Sequence, residues 1–245
     1  MTKRSFAFSV CIFLLSTASG FAQPSDRFDF KSSYGATATY SPSSNHILIG
    51  LAQGRSIATG GFEYTHRLME KGGFKLEYAG EVSPFFRESD PAISGIEETY
   101  DGVTTKRYFS NRSRIIQAHA GFLGQDCVTF YPACVPEYGI QGPNEVTYGF
   151  ATAPFGLCVE WRRNHRIQPT FTVDAGIIVT QRAIPIDGAA LLNYQVSIGP
   201  GVTIFTSDQS SFSAEYLYRH ISNGNANINP GIDQKVFRFT FSRHR

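Results

Sequence analysis

From residue 46 to residue 242, apolar and polar side chains alternate with a period of two in one segment after another. No other feature narrows the fold as much. Successive side chains of a β-strand point to opposite faces, so this alternation predicts strands with one apolar and one polar face. Eight segments read this way: 46–54, 59–69, 73–83, 145–161, 167–181, 190–206, 211–222 and 233–242. Turn-forming residues separate them, as at Lys71-Gly72-Gly73 and Pro185-Ile186-Asp187-Gly188. No stretch reads as a long amphipathic helix. The even count predicts an all-β fold, an eight-stranded antiparallel up-and-down β-barrel, and strand length makes the expected barrel a transmembrane one.

The two faces differ in kind. Phe62, Tyr64, His66 and Leu68 oppose Glu63, Thr65 and Arg67, while Phe74, Leu76 and Tyr78 oppose Lys75 and Glu77. Phe171, Val173, Ala175, Ile177 and Val179 oppose Thr170, Thr172, Asp174 and Thr180; Leu192, Tyr194, Val196 and Ile198 oppose Asn193, Gln195 and Ser197. The segment 145–161 changes parity between Phe150 and Phe155, which predicts a bulge around Ala151–Pro154. Alternation by itself fits a soluble barrel with the apolar face inside, such as a lipocalin-like binder, as well as a membrane barrel with that face outside. Strand length favours the membrane, because several segments reach the 9–11 residues of a tilted spanning strand.

The N-terminus points the same way. Lys3 and Arg4 precede an apolar run from Phe6 to Leu15, and small residues lead to Gly20-Phe21-Ala22. That is the layout of a cleaved secretory signal over 1–22, and the run is too short to span a bilayer as a helix. Residues 23–45 read as an extended leader, 46–245 as the barrel domain, and 86–143 as a long loop insertion within it. Composition agrees: 21 Phe and 12 Tyr against one Trp, with 23 Gly and 17% charged residues, suit β-structure with an apolar exterior. A net charge of +2 gives no electrostatic case for nucleic acid. An exported chain meets an oxidising compartment, which favours pairing of Cys127 with Cys134 across a short loop and leaves Cys158 within a strand.

Chemistry concentrates near the C-terminus, in Glu215-Tyr216-Leu217-Tyr218-Arg219-His220-Ile221-Ser222-Asn223-Gly224 and Asn229-Pro230-Gly231-Ile232-Asp233. On a strand, His220 and Ser222 share a face with Phe212, Ala214, Tyr216 and Tyr218. Counting back from Phe241, Phe239 and Phe237 puts Asp233 on the apolar face as well, with Gln234 on the other. Antiparallel return after residues 223–232 brings Asp233 beside His220. Histidine is a suitable base for a serine hydroxyl, and a carboxylate behind the imidazole fixes its tautomer. Asn223, next to the serine, offers an amide and a backbone N–H to a developing oxyanion. Such a triad, facing outward among aromatics near one rim, suits an acyl ester arriving sideways from the bilayer.

These segments, together with Gln168-Pro169 to Gly176, Ile184-Pro185, Asn193 and Gly60-Gly61-Phe62-Glu63-Tyr64-Thr65-His66-Arg67-Leu68, resemble the lipid A 3-O-deacylase (PagL-type) and acyloxyacyl-hydrolase-like outer-membrane barrel family. The resemblance implies a bacterial outer-membrane hydrolase that removes the ester-linked 3-hydroxyacyl chain of lipid A in lipopolysaccharide. It implies Ser222 as nucleophile, His220 as base, Asp233 as acid and Asn223 near the oxyanion hole, with no metal or organic cofactor. A homodimer is compatible with the sequence. His46 and His66 read as structural or interfacial, and Glu63, Arg67, Lys75, Glu77, Asp174, Glu215, Arg219 and Arg238 as a paired interior network. The rival reading is a non-catalytic outer-membrane barrel, a small channel or adhesin, which has no need of Ser222 and His220.

Overall fold

In the computed structural model, residues 26–100, 103–114, 116–117, 134–135, 139–186 and 188–245 are described. The segment assigned to a signal peptide and the side chains of Cys127 and Cys134 lie outside the described residues; Cys158 is a buried free thiol. Eight antiparallel strands close into a barrel: β1 (Ser32–Ser41), β2 (Ser56–Lys71), β3 (Phe74–Asp90), β4 (Glu145–Trp161), β5 (Ile167–Ile184), β6 (Ala190–Phe205), β7 (Ser210–Ser222) and β8 (Ile232–His244). Each pairs with its neighbours in sequence, and β1 closes on β8 from Ser33–His244 to Tyr40–Phe237.

Two expectations need correction. The first strand is Ser32–Ser41, inside the supposed leader, and 46–54 is not a strand but part of the β1–β2 connection. The reason lies in side-chain size. In β1, Ser33, Thr37 and Thr39 point inward while Ala36 and Ala38 share the outer face with Tyr34 and Tyr40. Hydroxyls opposed to methyl groups give little hydropathy contrast, whereas Ile47-Leu48-Ile49 gives a misleading apolar run. The insertion also starts later than residue 86, because β3 runs on to Asp90. Beyond it, Ala92–Tyr100 and Val103–Arg114 pair as a hairpin, with Gly139–Gln141 added to the first of these strands. The bulge in β4 occurs as expected: the register with β5 shifts between Ala175–Phe155 and Ile177–Thr152.

Burial is inverted relative to a water-soluble barrel. Phe155 is 75% exposed and Phe62 66%, whereas Lys75 is 1% exposed and Arg238 2%. Ions enclosed this way are tolerated only when paired. Arg238 bonds Glu215 and reaches Asp174 at 2.8 Å and Glu81 at 3.4 Å, while Thr172 donates to Glu215 at 2.6 Å. Lys75 lies 2.7 Å from Glu160 and 3.2 Å from Glu77. Arg219 donates to Ser197, and Glu63 lines the same interior. Arg67 instead turns to Asp29 near the end with short turns, where Phe28 and Phe30 pack on Phe205.

At the opposite end the lumen changes character. Ala52, Ile57, Phe86, Ala151, Ile178, Ile184, Ile221 and Ile232 form a buried apolar cluster there. Ile221 and Ile232 face each other across β7 and β8. They fix the backbone on whose outer side the candidate triad sits.

Candidate active site

His220 stands directly opposite Asp233 in the β7–β8 ladder, and its Nδ1 lies 2.7 Å from Asp233 Oδ1. The parity count therefore holds: Ile221 and Gln234 point inward, and His220, Ser222 and Asp233 belong to the outer face. Asp233 is nevertheless fully buried, because the β1–β2 connection folds over it. Its Oδ2 accepts three successive backbone N–H groups, from Ile47 at 3.3 Å, Leu48 at 2.7 Å and Ile49 at 3.0 Å. Tyr218, two residues before His220 on the same face, donates its hydroxyl to Oδ1 at 2.8 Å. A buried carboxylate is costly unless its lone pairs are met, and both of these oxygens are satisfied.

Close approach requires glycine at two places. A Cβ on Gly50 would come within 2.4 Å of the Asp233 nitrogen and 2.8 Å of its carboxyl carbon. Gly231 has φ of 62°, and a Cβ there would lie 3.0 Å from His220 Cε1. The first admits the loop to the carboxylate, and the second turns the chain into β8 beneath the imidazole.

Ser222 occupies the last position of β7. Its Oγ accepts from Asn229 Nδ2 at 2.8 Å and from the Gly224 N–H at 3.3 Å. Among the described residues no hydrogen bond joins Ser222 Oγ to His220. The geometry thus brings His220 and Asp233 into contact and places Ser222 two residues further along the same face of β7. Catalytic hydrogen bonds are often long or unmade before substrate binds.

Asn223 does not occupy the place expected of it. Its N–H donates to Asn229 Oδ1 at 3.2 Å and its Nδ2 to the Ile228 carbonyl at 3.0 Å. At 2% exposure it braces the β7–β8 connection through these two bonds. The groups that do meet the serine, Asn229 Nδ2 and Gly224 N–H, were missed in the sequence because their connection read only as a turn. Tyr218 and the Ile47–Ile49 amides were missed as well. Tyr218 lay in plain view on the His220 face, but backbone donors carry no side-chain signal. His46 has a structural place, with Nδ1 2.9 Å from the Gly50 carbonyl, and His66 lies near Tyr64 on the outer face.

Three of the four connections at the site's end, β1–β2, β3–β4 and β7–β8, are the long ones, whereas β2–β3, β4–β5 and β6–β7 are joined by short turns at the other end. In outer-membrane barrels the long connections are extracellular. With charges enclosed, an aromatic exterior and a closed ladder without edges, the architecture admits one setting. The chain is a bacterial outer-membrane barrel. No protein-family model and no curated protein matches it. Among solved structures it is similar to the outer membrane enzyme PagL, at 11% identity and a TM-score of 0.44, covering 85% of this chain and 97% of that one. It is also similar to the outer membrane protein W of Escherichia coli, at 10% identity and a TM-score of 0.39 over 89% and 98% of the two chains. A third is the outer membrane protease OmpT from Escherichia coli, at 8% identity and a TM-score of 0.30 over 88% and 95%. Likenesses of this degree assign no residue and no activity.

Proposed function

We propose that the barrel is a serine esterase that hydrolyses an ester-linked 3-hydroxyacyl chain of lipid A in the outer leaflet. The observation that carries this reading is the 2.7 Å contact between His220 Nδ1 and Asp233 Oδ1 on the lipid-facing side of the long-loop rim, with Ser222 next on the same face. A histidine whose Nδ1–H is held by a buried carboxylate presents Nε2 as the proton acceptor. Ser222 Oγ already accepts two hydrogens, from Asn229 and Gly224, so its own O–H is the group left to donate. The relay requires Ser222 Oγ to come within hydrogen-bond reach of His220 Nε2 when substrate binds.

In the reaction Ser222 Oγ adds to the ester carbonyl carbon as its proton passes to His220. Asn229 Nδ2 and the Gly224 N–H, clustered about the nucleophile, take the role first given to Asn223 and donate to the carbonyl oxygen as it becomes anionic. His220 then protonates the departing sugar oxygen and the acyl C–O bond breaks. Water adds to the acyl-serine, gives one proton to His220, and releases the 3-hydroxy fatty acid as the serine recovers its hydrogen. Asp233 stays ionised throughout and stabilises the imidazolium. An outward site at this depth meets acyl esters by lateral approach and disfavours a water-soluble substrate.

Mass spectrometry of lipid A incubated with the purified barrel tests the proposal. Loss of one 3-hydroxyacyl mass is expected with the native protein and not with Ser222→Ala. An unchanged lipid A spectrum with the native protein would sink the esterase reading.

A further inference from the structure

The Ile47–Ile49 amides that hold Asp233 come from a loop whose side chains face away from it. Leu48 and Ile49 are each 65% exposed, among the most exposed large apolar residues on the molecule. The loop is tied down on either side of them: Asn45 N–H donates to the Asp233 carbonyl at 3.0 Å, Leu51 N–H to the Pro230 carbonyl at 2.7 Å and Ala52 N–H to the Gly231 carbonyl at 3.0 Å. His46 closes the turn on the Gly50 carbonyl, and behind it Arg55 is buried against Asp90. Leu48 and Ile49 thus extend the outer apolar surface of β1 and β8, which carries Tyr40 and Phe237 paired just below, up to the rim. Aliphatic side chains so placed fit contact with acyl chains better than contact with water.

We propose that the His46–Gly50 loop is a positioning element worked by the membrane: Leu48 and Ile49 seat in the acyl layer and thereby hold their own N–H groups on Asp233. The inference rests on the esterase reading for its catalytic consequence, though not for the loop's coupling to lipid. Three consecutive amides converging on one oxygen form an anion nest. A nest built from a short loop loosens when the loop shifts. Lipid contact at Leu48 and Ile49 opposes that shift, so the carboxylate is oriented for His220 when the surrounding medium is the one that holds substrate. Leu48, Ile49 and Gly50 are positioning residues in this scheme; none of them touches the reacting atoms.

The test pairs a kinetic with a physical readout, using the full barrel in phospholipid nanodiscs containing lipid A. Leu48→Ser with Ile49→Ser keeps every backbone N–H but removes the apolar anchors. It is expected to lower kcat about tenfold with little change in KM, and to raise amide hydrogen exchange at residues 47–49 at least tenfold. Leu48→Val with Ile49→Val is expected to restore both. Exchange at 47–49 as slow in the serine variant as in the native protein overturns the proposal, as does faster exchange with an unchanged kcat. If the native barrel hydrolyses no lipid A, the esterase reading fails separately and the exchange comparison alone decides whether lipid holds the loop.

Discussion

His220 and Asp233 are directly opposed on adjacent strands, and their Nδ1–Oδ1 contact of 2.7 Å bridges the ladder on its lipid-facing side. The pairing places an imidazole and the carboxylate that holds it on two hydrogen-bonded strands backed by Ile221 and Ile232. A site so supported separates chemistry from folding, which makes the consequences of substitution sharp.

Ser222→Ala and His220→Ala each remove an outward side chain near the barrel rim. Both variants are expected to remain folded, migrating as heat-modifiable species in gel electrophoresis. Release of 3-hydroxy fatty acid from purified lipopolysaccharide is expected to fall by at least about 10³-fold, on the scale of triad deletions elsewhere. Full activity in either variant would remove the triad.

Asp233→Asn leaves the shape but loses the charge that orients His220. The rate is expected to drop by about 10²- to 10⁴-fold, the upper figure being that of the corresponding change in a serine protease. Gln234, the next residue, points into the lumen, and neither of its side-chain amide atoms has a hydrogen-bond partner among the described residues. Gln234→Ala is expected to change the same rate by less than about twofold, within the range of a change that touches no reacting group.

Asn229→Ala and Asn223→Ala distinguish the two asparagines. Loss of the Asn229 donor at the serine is expected to reduce kcat by about 10²-fold, comparable with loss of an oxyanion donor. Asn223→Ala is expected to act mainly on stability, since its side-chain bond to Ile228 is worth about 1 kcal/mol. Steady-state kinetics alongside thermal unfolding separates them.

Gly50→Ala drives a methyl group into Asp233, whose carboxyl carbon would sit 2.8 Å away. The loop must back off, so activity is expected to fall sharply while the barrel persists. Ala at Gly73, where a Cβ meets nothing, serves as the matched control.

Arg238→Ala strips the central cation from Glu215, Asp174 and Glu81. Leaving buried carboxylates unpaired costs about 3–5 kcal/mol in comparable cases. A lower denaturant midpoint for unfolding in detergent is expected, with residual activity in the fraction that remains folded.

Strand parity made most of the barrel legible from residues alone, and it placed Asp233 opposite His220 because the count from Phe241 to Asp233 met no bulge. What parity missed had little side-chain contrast or none. β1 alternates hydroxyls with alanine methyls, so its pattern is faint, while Ile47-Leu48-Ile49 mimics a strand and is in fact a cover. At a turn, adjacency in sequence is not adjacency in space: past Gly224, with φ of 64°, it is Asn229 that reaches the serine hydroxyl.

On the proposed esterase reading, the outward placement of the site also sets the terms in which its kinetics must be read. An enzyme whose reacting groups open onto hydrocarbon samples a two-dimensional solution, and the relevant concentration is the mole fraction of target among neighbouring amphiphiles. Adding inert detergent at constant bulk lipid A dilutes that fraction, so turnover slows although the flask contains as much substrate as before.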